Sequence, residues 1–173
     1  ALMTAPGARF ELEEKTIGGV SLRVYKNAPP TLRHVVLNSV NWEQREFLVY
    51  QDERVTFAAH YKAVAHFAKA LSETYGVKKG DRVAVIMRNY PQWSVAFWGA
   101  LVIGAIATPL NSWWTGEELE YGLSDSGAKV AVVDPEKMER IREHMPKLAR
   151  QADKYAVRRG AQIGTTQAWQ PDN

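Results

Sequence analysis

The chain has 173 residues, enough for one domain with an attached hairpin or tail and enough to bury a core without covalent staples. Its hydrophobic share of 46% and charged share of 24% are those of a globular protein, and it contains no cysteine, which excludes disulfides, thiolate metal sites and cysteine nucleophiles. The net charge of +3 comes from 22 Lys+Arg interleaved with 19 Asp+Glu. The densest basic run, Lys147, Arg150, Lys154, Arg158 and Arg159, accompanies no nucleic-acid motif, so it reads as a solvated face or linker.

The first segment reads as a β-hairpin, residues 10–17 and 20–25 around Gly18-Gly19, a pair that tolerates positive φ. Pro29-Pro30 breaks the chain, and Thr31 caps a short amphipathic helix carrying Leu32, Val35, Val36 and Ser39 or Val40. Residues 47–50 form a short strand, and Gln51-Asp52-Glu53-Arg54 turns it into a long helix capped by Thr56. Phe57, Tyr61, Val64, Ala68, Leu71 and Tyr75 would share one face of that helix, and Gly76 would end it.

From residue 82 the pattern alternates. Residues 82–87 are a near-continuous apolar strand, and Pro91 starts a helix through Trp93, Phe97, Trp98 and Leu101. Residues 105–110 are the next strand. Thr115 and Glu118 make a capping box for a helix over 115–124, with Trp114 and Leu119 at the positions of a hydrophobic staple. Residues 129–133 are a third strand, and Pro135 opens a helix to about Leu148. The expected fold class is therefore α/β, a parallel sheet flanked by helices and preceded by the hairpin and the short helix. The expected units are 1–45 (hairpin and helix), 46–148 (the α/β part) and 149–173 (a polar linker or loop).

The longest apolar run, 95–110, holds Gly99, Gly104, Thr108 and Pro109, and falls short of the roughly 18 residues of a membrane span. With no basic-then-apolar leader at the start, a cytoplasmic location is expected. His34, His60, His66 and His144 have no ligand spacing, so no metal site is expected. No Gly-x-Ser-x-Gly or Gly-x-Gly-x-x-Gly occurs. Ile163-Gly164-Thr165-Thr166 has a lone glycine and no neighbouring lysine, and reads as an ordinary loop rather than a phosphate cradle. Trp93, Trp98, Trp113 and Trp114 gather around one helix and the strand after it. They read first as core and staple residues, with Trp93 and Trp98 as candidates to line an apolar substrate pocket.

Three segments carry a family resemblance. Val55-Thr56-Phe57 opens a helix that leads to Gly76-Val77-Lys78-Lys79-Gly80-Asp81-Arg82-Val83-Ala84. Met87-Arg88-Asn89-Tyr90-Pro91 precedes the aromatic helix. Gly99 to Ala105, Pro109-Leu110-Asn111, Glu117-Glu118-Leu119 and Asp125-Ser126-Gly127-Ala128-Lys129 follow in order. Together they resemble the first part of the adenylate-forming superfamily, most closely its acyl-CoA synthetases. Gln92 stands where the family often has glutamate.

The resemblance implies a two-step ligase that joins a fatty or other carboxylic acid to AMP from ATP with Mg²⁺, then passes the acyl group to coenzyme A. It also implies that the phosphate loop, the adenine and ribose site and the catalytic lysine belong to later sequence. The chain is then an incomplete amino-terminal portion, inactive alone, with no catalytic, cofactor-binding or metal residue of its own. A sizeable exposed apolar patch is expected on the hairpin and first helix, with homodimerisation as a means of covering it. A stand-alone nucleotide or acyl binding module and a structural dimerisation domain are the alternatives.

Overall fold

The structure is a computed structural model that describes residues 2–150. After a 3-10 turn at Leu2–Thr4, strands β1 (Leu12–Ile17) and β2 (Val20–Tyr25) form an antiparallel hairpin in which Ile17 faces Val20. Gly18 and Gly19 have φ of 59° and 84°. Two consecutive positive φ values match the twist of the flanking strands, which is why a glycine pair sits here.

Helix α1 (Leu32–Ser39) runs into a 3-10 turn, and strands β3 (Glu46–Tyr50) and β4 (Glu53–Thr56) form a second hairpin. The sequence reading took Gln51 to Arg54 as a turn. In fact Gln51 alone adopts positive φ, and Glu53 and Arg54 are already in β4. Their charged, exposed side chains conceal the strand from a hydrophobicity pattern.

Helix α2 (Phe57–Glu73) is capped by Thr56, whose hydroxyl accepts the Ala59 N–H at 3.2 Å. Its buried face is His60, Val64, Phe67, Ala68 and Leu71. That stripe is rotated from the expected one: Phe57 and Tyr61 lie at its margin, and His60 and Phe67 lie within it. A histidine does not count toward an apolar stripe, so its position misled the reading.

Three parallel strands follow, β5 (Arg82–Ile86), β6 (Ile106–Pro109) and β7 (Val130–Val133), in the order β6-β5-β7. Helix α3 (Pro91–Val102) connects β5 to β6, and α4 (Gly116–Ser126) connects β6 to β7. The expected α/β class and its parallel sheet are present. Strand β5 is central, and Val83, Ala84, Val85 and Ile86 each have 0% exposure.

Side chains alternate across that strand. Val83, Val85 and the following Met87 join Phe67, Leu71, Ala96, Ala100 and Val132 in one core, under α2 and α3. Ala84 and Ile86 join Leu119, Leu123, Ile141 and Leu148 in a second core, on the opposite face. Two fully covered faces explain why β5 reads as continuously apolar.

Gly127 ends α4 with φ 63°, and a Cβ there would lie 2.8 Å from the Arg82 guanidinium, which donates from Nε to the Gly127 carbonyl at 3.2 Å. The last helix is divided where one was expected. Helix α5 (Pro135–Ile141), a 3-10 turn and α6 (Met145–Arg150) follow one another. Pro146 has no N–H and its ring would meet the carbonyl one turn back, so a single helix cannot pass through it.

Exposed apolar side chains concentrate in the first part of the chain, as expected: Ile17, Val20, Leu22 and Tyr25 on the hairpin, Leu32 and Val35 on α1, and Trp42. The expected linker and the Ile163-Gly164-Thr165-Thr166 loop lie outside the described residues.

Candidate functional site

In an open α/β sheet, a ligand crevice forms outside the carboxyl ends of two neighbouring strands whose following helices pack on opposite faces. Strands β5 and β7 meet that condition. The chain leaves β5 toward α3 on the first core and leaves β7 toward α5 on the second.

Asp134 stitches the two strand ends together. It is 6% exposed, and its carboxylate accepts the Arg88 N–H at 3.1 Å and the Lys137 N–H at 2.9 Å. Capping α5 and fastening the β5 exit are thus done by one side chain.

Lys137 is 1% exposed, with Nζ 3.0 Å from Glu136 Oε2 and 4.0 Å from Asp134 Oδ2. A buried ammonium requires such partners. The Lys137 hydrogen bond, followed by the Arg140 and Arg88 charges, holds the Glu136 carboxyl below the usual range. Arg140 donates from Nη1 to the carbonyls of Ser112 at 3.3 Å and Trp114 at 3.1 Å, and its Nη2 holds Glu136. It therefore clamps the β6–α4 loop onto α5. Gly116 completes the contact: a Cβ there would lie 2.6 Å from the Arg140 carbonyl and 2.5 Å from His144 Nε2.

The outer wall is Arg88, whose guanidinium lies 4.9 Å from the Trp113 ring centroid. Trp113 is 69% exposed. A shallow depression beside it is lined by Trp113, Thr115, Gly116, Glu117, Arg140, Glu143 and His144.

The tryptophans separate into distinct roles. Trp114 packs on the second core, which also holds Leu119, so both staple positions join one cluster. The capping box is complete: the Thr115 hydroxyl accepts the Glu118 N–H at 3.3 Å and Glu118 accepts the Thr115 N–H at 2.8 Å. Trp93 stacks on Phe97 at 5.1 Å and 13°, packing against the first core, while Trp98 meets Phe97 edge-on at 5.3 Å. Trp93 and Trp98 therefore flank one phenylalanine on α3, away from the depression beside Trp113. The sequence reading missed Arg88, Asp134, Lys137 and Arg140. Arg88 and Asp134 carried one signal, a charged residue closing an apolar run, and Lys137 and Arg140 carried none.

Both Asp134 oxygens, the Lys137 ammonium and the Arg140 guanidinium are engaged within the chain. Among the described residues no group of three or more His, Asp or Glu side chains is placed to hold a metal ion.

The family model of AMP-binding enzymes matches residues 37–172. The chain belongs to the AMP-binding enzyme family. A long-chain-fatty-acid–CoA ligase of Escherichia coli O6:H1 is 41% identical over 85 residues, covering 49% of this chain and 15% of that protein. Long-chain-fatty-acid–CoA ligase FadD13 of Mycobacterium tuberculosis is 38% identical over 81 residues, covering 47% of this chain and 16% of that protein. The chain is thus similar to only a small part of the length of these relatives.

Among solved structures, the inhibitor-bound N-terminal domain of FACL13 from Mycobacterium tuberculosis superposes with a TM-score of 0.63 at 24% identity, over 78% of this chain and 38% of that one. The anthranilate CoA ligase AuaEII, in complex with anthranoyl-AMP, superposes with a TM-score of 0.66 at 24% identity, over 70% of this chain and 24% of that one. These likenesses show the fold, which corresponds to a part of each longer neighbour. No helix among the described residues is long and apolar enough to cross a membrane.

Proposed function

We propose that the chain is the amino-terminal part of an ATP-dependent long-chain acyl-CoA synthetase. Its parent would activate a fatty acid as the acyl-adenylate, using ATP and Mg²⁺, and transfer the acyl group to coenzyme A. The observation that carries this reading is the family match over residues 37–172, joined to fatty-acid–CoA ligases as relatives. Trp93 and Trp98 are the residues proposed to contribute to the acyl pocket of the parent.

In this reading the 173 residues are inactive alone. The charges of Asp134, Lys137 and Arg140 at the sheet's carboxyl end support that part, because each is already matched within the fold. The crevice between β5 and β7 then serves as one wall of a site whose nucleotide-handling groups come from the rest of the parent.

Calorimetric titration with ATP·Mg²⁺ and with a non-hydrolysable acyl-adenylate analogue tests this. Absence of binding to either is the expected result. Micromolar binding of either would show a complete site within these residues and replace the reading with that of a self-sufficient binding module.

A further inference from the structure

Strand β3 is irregular at both ends and in its middle. Among the described residues, Glu43 and Gln51 are the non-glycine residues with positive φ, 41° and 51°, and they bracket this strand. Glu43 has ψ −108°, and the Arg45 N–H donates to the Trp42 carbonyl at 2.9 Å. That is a type II′ turn with glutamate at its first central position, where glycine fits without strain. Gln51 lies in the two-residue loop between the paired Tyr50 and Glu53. Between these two residues the register slips. Glu46 faces Thr56 and Leu48 faces Val55, which leaves Phe47 as the extra residue of a bulge. A bulge re-aims the side chain it carries.

Phe47 is aimed at the start of α2. Its ring centroid lies 4.7 Å from that of Phe57 and 4.5 Å from that of His60. The chain just before it supplies acceptors for the first N–H groups of α2, which have no partner inside the helix. Phe57 donates to the Arg45 carbonyl at 3.0 Å and Ala58 to the Glu43 carbonyl at 2.9 Å. Residues 43–51 therefore form a strap across the start of α2.

The strap is lightly held. Residues 42–46 and Val49 are exposed, and β3 has β4 alone beside it. Helices α2 and α3, by contrast, share the first core through Phe67, Leu71, Ala96 and Ala100. His60 lies between the strap and that core. Its Nε2 meets Ser94 Oγ of α3 on one side, Phe47 of β3 covers the other, and Phe57 and Val64 stand one turn away on its own helix. None of these neighbours is charged, and burial lowers the imidazole pKa from 6.5 to about 4. A protonated imidazole requires water or a counter-charge. Lifting Phe47 admits water and leaves the first core closed.

We propose that residues 43–51 are a strained strap that lifts off α2 when His60 takes up a proton, in a local opening that leaves the parallel sheet and its two cores folded. The unfavourable backbone at Glu43 and Gln51 favours release, and Phe47 with the two hydrogen bonds to α2 opposes it. The proposal concerns the scaffold and does not depend on the ligase reading.

Amide hydrogen exchange on the 173-residue chain at pH 7 and pH 5, read by NMR in low urea and corrected for the intrinsic effect of pH, tests it. Phe57 and Ala58 report on the strap, and residues 83–86 of β5 report on global unfolding. Phe57 and Ala58 should exchange faster than β5 and with little dependence on urea, the mark of a local opening. Their protection should fall about twentyfold from pH 7 to pH 5, the change expected when opening restores the ordinary imidazole pKa. In His60→Gln that fall should disappear. Glu43→Gly, which relieves the turn, should raise the protection of Phe57 and Ala58 about fivefold at both pH values. Protection at Phe57 and Ala58 that ignores pH, or that follows β5 at every urea concentration, would overturn the proposal. So would a pH dependence that survives in His60→Gln, or a Glu43→Gly chain no better protected than the parent.

Discussion

His60 on α2 and Ser94 on α3 share a hydrogen bond, Nε2 to Oγ at 2.9 Å, and the Phe47 ring of β3 lies 4.5 Å from the imidazole. With 3% exposure, His60 is a polar group set inside the contact of three elements. Burial lowers its pKa from 6.5 to about 4. The unfolded chain therefore binds a proton that the folded chain refuses. The contribution of this group is fully present above pH about 6.5 and is lost as pH falls toward about 4, a total of about 3 kcal/mol at 1.4 per unit. Urea titrations at pH 7, 6, 5 and 4 should show this loss, and His60→Gln should flatten it. An unchanged slope in His60→Gln would remove His60 as its cause.

Gly99 of α3 lies directly against Phe67 and Ala68 of α2. A Cβ at this position would stand 2.6 Å from Phe67 Cδ1, and Phe67 is itself 8% exposed, within the first core. The ring has no room to retreat, so Gly99→Ala should destabilise by about 1–3 kcal/mol despite alanine's better helix propensity. Pairing it with Phe67→Leu should recover part of the loss. Thermal melts of the two single variants and the double variant measure the coupling.

Arg140 joins three groups through one guanidinium: two carbonyls of the β6–α4 loop and the Glu136 carboxylate. Lysine cannot span that fork. Both Arg140→Lys and Arg140→Ala should therefore speed amide exchange and proteolysis at residues 111–115, with a stability loss of about 1–3 kcal/mol. A lysine variant as protected as the parent chain would show that charge alone holds the loop.

Thr115→Ala removes one half of the capping box on α4 and should cost about 1 kcal/mol, whereas Thr115→Ser should cost little. Comparing their midpoints in urea separates the hydroxyl from the methyl group.

Much of the scaffold was legible in the sequence because local and global signals agree there. Residues 82–87 read as a buried strand, and all but the last form β5, while Thr115 with Glu118 announced a helix start that the side chains realise. Legibility failed where a residue's environment comes from distant chain. His60 reads as polar and is buried by Phe47 and Ser94 from other elements, and Glu53 and Arg54 read as a turn but are paired by β3. The candidate crevice was the least legible part. Arg88 lies far in sequence from Asp134 and Arg140 of α5, and only the order β6-β5-β7 brings the ends of β5 and β7 side by side. Trp93 and Trp98 were conspicuous by type, yet residue type alone could not distinguish a pocket wall from α3 packing.

The central place of β5 also sets the order in which the sheet can assemble. Both of its hydrogen-bonding neighbours come from later in the chain, β6 after one helix and β7 after two. As the polypeptide emerges, β5, apolar from Val83 to Ile86, has neither hydrogen-bonding edge paired until α3 has formed and β6 has returned beside it. Its second edge stays open for another whole β–α unit. Parallel pairing across such loops is slow, because chain entropy is lost before any contact compensates. During that interval the Val83-Ala84-Val85-Ile86 segment is the part of the nascent chain most prone to join another molecule.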